Sequence, residues 1–180
     1  LFRSHSPLLL NMADTSLSGI NVTLKTSDDK EITLPKEIAF KSTTLANLLS
    51  DLGDAQGSAI PLQNVSYRIM EKVKQYCEYH HQFPSAPSDD KKDERRTDDI
   101  IPWDKDFCAA LDQPTLFELI LAANFLEIKD LLDLTCKTVA NMIKGKSPEE
   151  IRVTFNIKND FTPEEEEQVR KENEWCDERQ

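Results

Sequence analysis

One segment limits this chain more than any other: TLFELILAANFLEI, residues 115–128, is apolar nearly all the way round a helix. Leu116, Phe117, Leu119, Ile120, Leu121, Phe125 and Leu126 leave no continuous polar face. Such a helix must sit inside the fold or be covered on its outer side by something else. The rest of the chain therefore has to supply a core around it, and 180 residues at 38% hydrophobic content are enough to do so.

The segments before it read as a small mixed α/β unit. INVTL (20–24) alternates apolar and polar residues, the period of a half-buried strand, and EITL resumes the alternation after the turn residues SDDK, giving a hairpin. Ser42 caps a helix carrying Leu45, Leu48, Leu49 and Leu52, which Gly53 ends. A short strand around Ile60 and Leu62 follows. Ser66 then caps a helix with Ile69, Met70, Val73, Tyr76 and Cys77 on one side. Residues 84–99, PSAPSDDKKDERRTDD, have dense mixed charge and nothing aliphatic larger than alanine, so they read as a mobile loop. Folded sequence resumes at Ile100-Ile101-Pro102-Trp103.

Beyond the apolar helix, a further helix carries two stripes. Ile128, Leu131, Val139 and Met142 form one, and Leu132, Cys136, Val139 and Ile143 the other. The domain's own core needs one; the second is surplus. Gly145 stops this helix, and Ser147-Pro148-Glu149-Glu150 starts a short one carrying Ile151 and Phe155. Thr162-Pro163-Glu164-Glu165 repeats the same start, an N-cap hydroxyl, a proline in the first turn and a glutamate for a capping box. Yet from Glu164 to Glu174 the only aliphatic residue is Val169, and Val169 and Trp175 do not share a helix face well. A helix this short needs an apolar face to pack. Phe155, Phe161 and Trp175 together, if exposed, make a patch of roughly 450–750 Å², at or above what a typical monomer shows. Either the tail folds back onto its own core, or it orders against a partner. The spacing favours the partner.

Chemical signatures are few. Four glycines exclude a phosphate-cradling loop or dinucleotide fingerprint, and no metalloprotease, nucleophile-elbow or kinase motif appears. Cys77, His80 and His81 in CEYHH share a helix face, but a zinc site needs four ligands and no second pair stands at suitable spacing. The run Glu164–Glu167 lies in a first helical turn, where carboxylates are stabilised by free amides, and lacks the alternating oxygen ligands of a calcium loop. No catalytic residue, metal or cofactor is expected. A net charge of −11 without a basic stripe argues against nucleic acid. There is no apolar run of membrane-spanning length, and the four cysteines form no CxxC pair, as in a reduced intracellular protein. The opening LFRSHSPLLLNM is too short in apolar residues for a signal peptide. Residues 1–11 read as upstream translation or an expression remainder, and residues 1–17 as a disordered or non-native extension.

The strings TLFELILAANFL and LTCKTVANMIKGKSPEEIRVTFNIKNDFTPEEEEQVRKENEWC closely resemble the Skp family, the adaptor subunit of SCF (Skp–cullin–F-box) ubiquitin ligases. LKTSDDKEITLPKEIA, PLQNVS and RTDDI extend the resemblance over residues 20–180. It implies an α/β (α+β) fold: a POZ/BTB-type domain with a small three-stranded sheet, plus a C-terminal two-helix extension. The corresponding divisions are 18–83, an acidic loop at 84–101, completing helices at 102–143 and F-box-binding helices at 144–180. It implies no catalysis, a cullin scaffold as one partner (through it a RING subunit), and F-box proteins as the other. Asn124 and Phe125 match the cullin-facing position, where the family often has tyrosine in place of Phe125. Val139, Ile143, Ile151, Arg152, Phe155, Ile157, Phe161 and Trp175 match the F-box-facing set. Cytoplasm and nucleus are the implied compartments, with weak self-association of the free adaptor. The rival reading is a self-associating POZ scaffold without a ubiquitin link.

Overall fold

The computed structural model describes residues 20–52, 59–84 and 100–173. The chain divides into two compact units, one up to Val139 and one from Ala140.

The first unit begins with a hairpin. Strands β1 (Asn21–Lys25) and β2 (Glu31–Pro35) pair antiparallel, Leu24 opposite Ile32 and Val22 opposite Leu34. The alternation read in the sequence is the burial observed: Val22, Leu24, Ile32 and Leu34 face inward. Asp29 takes a positive φ of 60° in the turn, a conformation aspartate tolerates better than most residues. A four-residue helix α1 (Lys36–Ala39) leads to α2 (Thr43–Leu52), whose N-cap is Ser42, its hydroxyl accepting from Leu45 N at 3.1 Å. Strand β3 (Ile60–Pro61) then lies parallel to β1, giving the order β2-β1-β3. Ile60 within this strand and Leu62 just after it are both buried.

Helix α3 (Tyr67–Gln82) buries the side read from its periodicity, Ile69, Met70, Val73, Tyr76 and Cys77. Its start differs from expectation. The Ser66 hydroxyl makes no capping bond; the first amide, Tyr67 N, donates instead to Asp28 Oδ1 at 2.8 Å, from the hairpin turn. A carboxylate is the stronger acceptor. The Thr26 hydroxyl, first, and that amide hold the Asp28 carboxyl down at about 2. Helix α4 (Pro102–Ala109) follows, with Trp103 stacked on Tyr79 at 3.8 Å and His80 Nε2 paired with Asp104 Oδ1 at 2.8 Å. Helix α5 (Gln113–Phe125) packs beside α3 and places Leu116, Leu119, Ala122 and Ala123 in the core.

Helix α6 (Lys129–Ile143) starts in the first unit. Its buried residues are Leu131, Leu134 and Thr135, with Ile128 just ahead of it. Of the first stripe read from spacing, Ile128 and Leu131 are buried, whereas Val139 and Met142 are only half-buried. Thr135 can be buried because its hydroxyl donates back to Leu131 O at 2.8 Å.

The second unit contains the end of α6 and helices α7 (Pro148–Thr154) and α8 (Pro163–Glu172). Both capping boxes are formed. Glu150 N donates to Ser147 Oγ and Ser147 N to Glu150 Oε2; Thr162 and Glu165 repeat the arrangement. No residue from Ala140 to Asn173 is buried.

Candidate functional site

The clusters that could have carried chemistry are accounted for by other bonds. Cys77, His80 and His81 share a helix but turn to three neighbourhoods: Cys77 into the core, His80 to Asp104, and His81 to Glu37 at 3.4 Å. Burial pushes the Cys77 thiol up to about 12 and raises Cys108 as well, so neither is a thiolate at neutral pH. A recess of about 400 Å³ beside the end of α5 is lined by Lys41, Lys129, Glu127 and Asp130 among others. Two cations and two carboxylates give it no preference for an ion of either sign. In the glutamate run, Glu165 closes a capping box and Glu166 accepts from Arg152 and Asn159, while Glu167 pairs with Arg170 and Lys171. Hydrogen bonding to Thr162 holds the Glu165 carboxyl below its ordinary value.

What the described residues offer instead is uncovered apolar surface, most of it in two places, with Phe40, Phe83 and Ile101 exposed elsewhere. The first is the outward side of α5. Phe117, Leu121 and Asn124 follow one another at spacings of four and three, and Leu121 is 69% exposed. Phe125 lies half-buried, packed against the core. The all-round apolarity of this helix is therefore not wholly absorbed within the first unit. Phe117 and Leu121 extend the face beyond Asn124 and Phe125, and the signal was already in the sequence as the missing polar side. Helix α5 ends in a Schellman motif: Ile128 N donates to Ala123 O at 2.9 Å and Glu127 N to Asn124 O at 3.1 Å. Glu127 takes the left-handed conformation, φ 52°, that glycine usually fills.

The second place is in the tail unit. Ile151 and Phe155 are half-buried, Ile157 is 54% and Phe161 49% exposed, and Ile143 stands exposed near the end of α6. Val153, 83% exposed, is a residue that the Ile151–Phe155 spacing passes over, because it points away from that stripe. Val139, in the first unit, is half-buried one helical turn before Ile143. Arg152 is largely covered, its guanidinium donating to Glu166 Oε1 at 2.9 Å and to Glu149 Oε1 at 3.4 Å. It joins α7 to α8. A second Schellman motif, with Asn156 left-handed at φ 52°, ends α7 and turns the chain toward Ile157. Trp175 lies outside the described residues.

Among the described residues no helix is long and apolar enough to cross a membrane.

Comparison with known proteins agrees with this architecture. Residues 21–82 match the tetramerisation domain of the Skp1 family, and residues 129–176 match its dimerisation domain. The SCF ubiquitin ligase complex protein SKP1a of Dictyostelium discoideum is 65% identical over 158 residues, covering 88% of this chain and 96% of that protein. The E3 ubiquitin ligase complex SCF subunit sconC of Arthroderma otae is 56% identical over 169 residues, 93% of this chain and 100% of that one. A Skp1-related protein of Caenorhabditis elegans is 56% identical over 161 residues, 87% and 91% of the two chains. With an α/β POZ domain of three strands and helices, a capped C-terminal helical unit, and identity of this extent over nearly its whole length, the chain belongs to the Skp1 family.

Proposed function

We propose that this chain is the adaptor of an SCF-type cullin–RING E3 ubiquitin ligase, bridging a cullin scaffold to F-box substrate receptors. One observation carries the reading furthest. Residues 140–173 form two fully capped helices without burying a single side chain, and leave Val153, Ile157 and Phe161 open. Helices that short have little stability of their own in water, so a unit with good caps and no core is suited to ordering on a partner.

The assignments are these. Asn124 and Phe125, continued by Leu121 and Phe117, form the cullin-facing surface. Val139, Ile143, Ile151, Phe155, Ile157, Phe161 and Trp175 meet the F-box, and Val153 joins them. Arg152 belongs to this set as the residue that holds α7 and α8 in register. The adaptor works in cytoplasm and nucleus and has no catalysis of its own; its contribution is geometric. It holds a receptor, and with it a substrate, at a set distance from the ubiquitin-carrying enzyme at the cullin's far end, which raises the effective concentration of substrate lysines there.

Hydrogen exchange across residues 147–173, with and without a purified F-box domain, tests the reading. Fast exchange in the free protein and protection on addition are the expected result. Protection already present in a verified monomer, unchanged by the F-box, would mean that the tail is covered in cis. In parallel, Asn124→Lys with Phe125→Lys should abolish binding of a cullin N-terminal fragment and spare the F-box. Equal loss of both would mean that the double variant misfolds, and unchanged cullin binding would sink the cullin assignment.

A further inference from the structure

The Schellman motif satisfies the carbonyls of Ala123 and Asn124 and leaves the next three, Phe125, Leu126 and Glu127, without intrahelical donors. Three consecutive hydroxyls from the start of α2 take them up. Ser42 Oγ donates to Leu126 O at 2.5 Å, Thr44 Oγ1 to Phe125 O at 2.9 Å, and Thr43 Oγ1 makes a longer bond to Glu127 O at 3.4 Å. Ser42 has two duties. Its oxygen also accepts from Leu45 N, so one hydroxyl, 1% exposed, caps the start of α2 and the end of α5 together. Hydrogen bonds across so wide a sequence separation fix the last turn of α5 in both position and rotation.

We infer that Ser42, Thr43 and Thr44 are positioning residues for the docking surface at Asn124 and Phe125. The Phe125 carbonyl held by Thr44 belongs to the same residue whose half-buried ring is presented to the partner. Its neighbour Asn124 is oriented by the same turn. Loss of the Thr44 hydroxyl frees the carbonyl to seek water and lets the last turn rotate. The apparent affinity then falls in proportion to the fraction of molecules still holding the competent orientation. Thr44 need not touch the partner to do this. The inference rests on the proposed role of Asn124 and Phe125 in binding a cullin.

The test uses the full chain and calorimetry against two probes, a cullin N-terminal fragment and an F-box domain. Thr44→Val keeps the shape and removes the hydroxyl. It should weaken cullin-fragment binding by about fivefold, the order expected for one neutral hydrogen bond, while F-box affinity stays within about twofold. Thr44→Ser, which restores the donor, should recover the parent affinity. Thr43→Val, removing the longer bond, should have the smaller effect. Unchanged cullin affinity in Thr44→Val overturns the inference. So does an equal loss toward both probes, or loss of the near-UV aromatic signal of the folded chain, because the hydroxyl would then serve only the fold. Should the parent chain itself bind no cullin fragment, the docking role of Asn124 and Phe125 falls, and this inference with it. Parent binding with an unaffected variant removes the positioning role alone.

Discussion

Residues 20–139 and 140–173 are both mainly helical, and each ends a helix in a Schellman turn. They differ in what lies behind the helices. In the first unit Leu24, Leu34, Leu45, Leu119 and Leu131 are fully enclosed. In the second, nothing is, and order comes from two capping boxes, a Schellman turn at Asn156 and the bonds of Arg152 to Glu149 and Glu166. The left-handed residues show the same contrast. The second unit uses Gly145 and Asn156, which adopt that conformation readily, whereas the first, besides the tolerant Asp29 in its hairpin turn, places Glu127 there. A packed surrounding can impose a backbone conformation costing of order 1 kcal/mol or more; a unit without a core has to choose residues that accept it. Local signals draw a helix, and burial gives it one place to be.

The sharpest way to break this contrast is to damage the core. Leu119→Ala empties a fully enclosed site in α5 and should cost the first unit about 2–5 kcal/mol, read as a lower denaturation midpoint. Hydrogen exchange over 160–172 should be almost unaffected. If the tail loosened as much as the core, the two units would be one cooperative body. Thr162→Ala is the converse, smaller change. It removes the side chain that accepts from Glu165 N and should cost α8 about 1 kcal/mol, seen as faster exchange over 163–172 with the main midpoint unmoved. A shifted midpoint would contradict the separation.

Acid gives the smallest effect and separates two carboxylates. Both Asp28 and Glu165 have folded-state values below their unfolded ones, so each stabilises above its unfolded value and ceases to do so as pH falls through the folded one. Below about pH 4.3, the ordinary glutamate value, the Glu165 contribution begins to fade. Asp28, held down to about 2, should keep the start of α3 capped further into acid. Site-resolved NMR titration should show Glu165 protonating while Asp28 is still charged. The reverse order would mean that the α3 cap is not made by Asp28.

Much of this could be read from the residues. Alternation gave the hairpin, periodicity gave α2 and α3, all-round apolarity gave α5, and the Ser147 and Thr162 capping boxes form as their spacing predicts, because each depends on neighbours within four positions. What spacing missed depends on distant partners. Asp28 displaces Ser66 as the cap of α3 from 39 positions away. The buried side of α6 ends at Thr135, which periodicity cannot foresee because the helix continues with the same pattern. Four-residue α1 is too short to show a period. At the proposed docking surfaces, exposed Phe117 and Leu121 were visible as a missing polar side, whereas Asn124 carries no signal of its own and came from family resemblance. Arg152, placed there among the partner-facing residues, proves largely occupied within the tail itself.

The bond between Ser42 and Leu126 spans 84 positions, and that has a consequence during synthesis. At 5–20 residues per second a ribosome needs on the order of 4–17 s to make the intervening chain. From the end of α3 at Gln82 until α5 is complete at Phe125, the hairpin, α2 and α3 exist without α5, and the side of α3 that α5 packs against has no lid. The nascent chain therefore passes through a stage in which its future core is an open apolar surface, closed only when α5 emerges and its carbonyls meet the waiting hydroxyls. A slow codon stretch before α5 would lengthen that stage, and a chaperone that binds apolar segments would find its target there rather than in the tail.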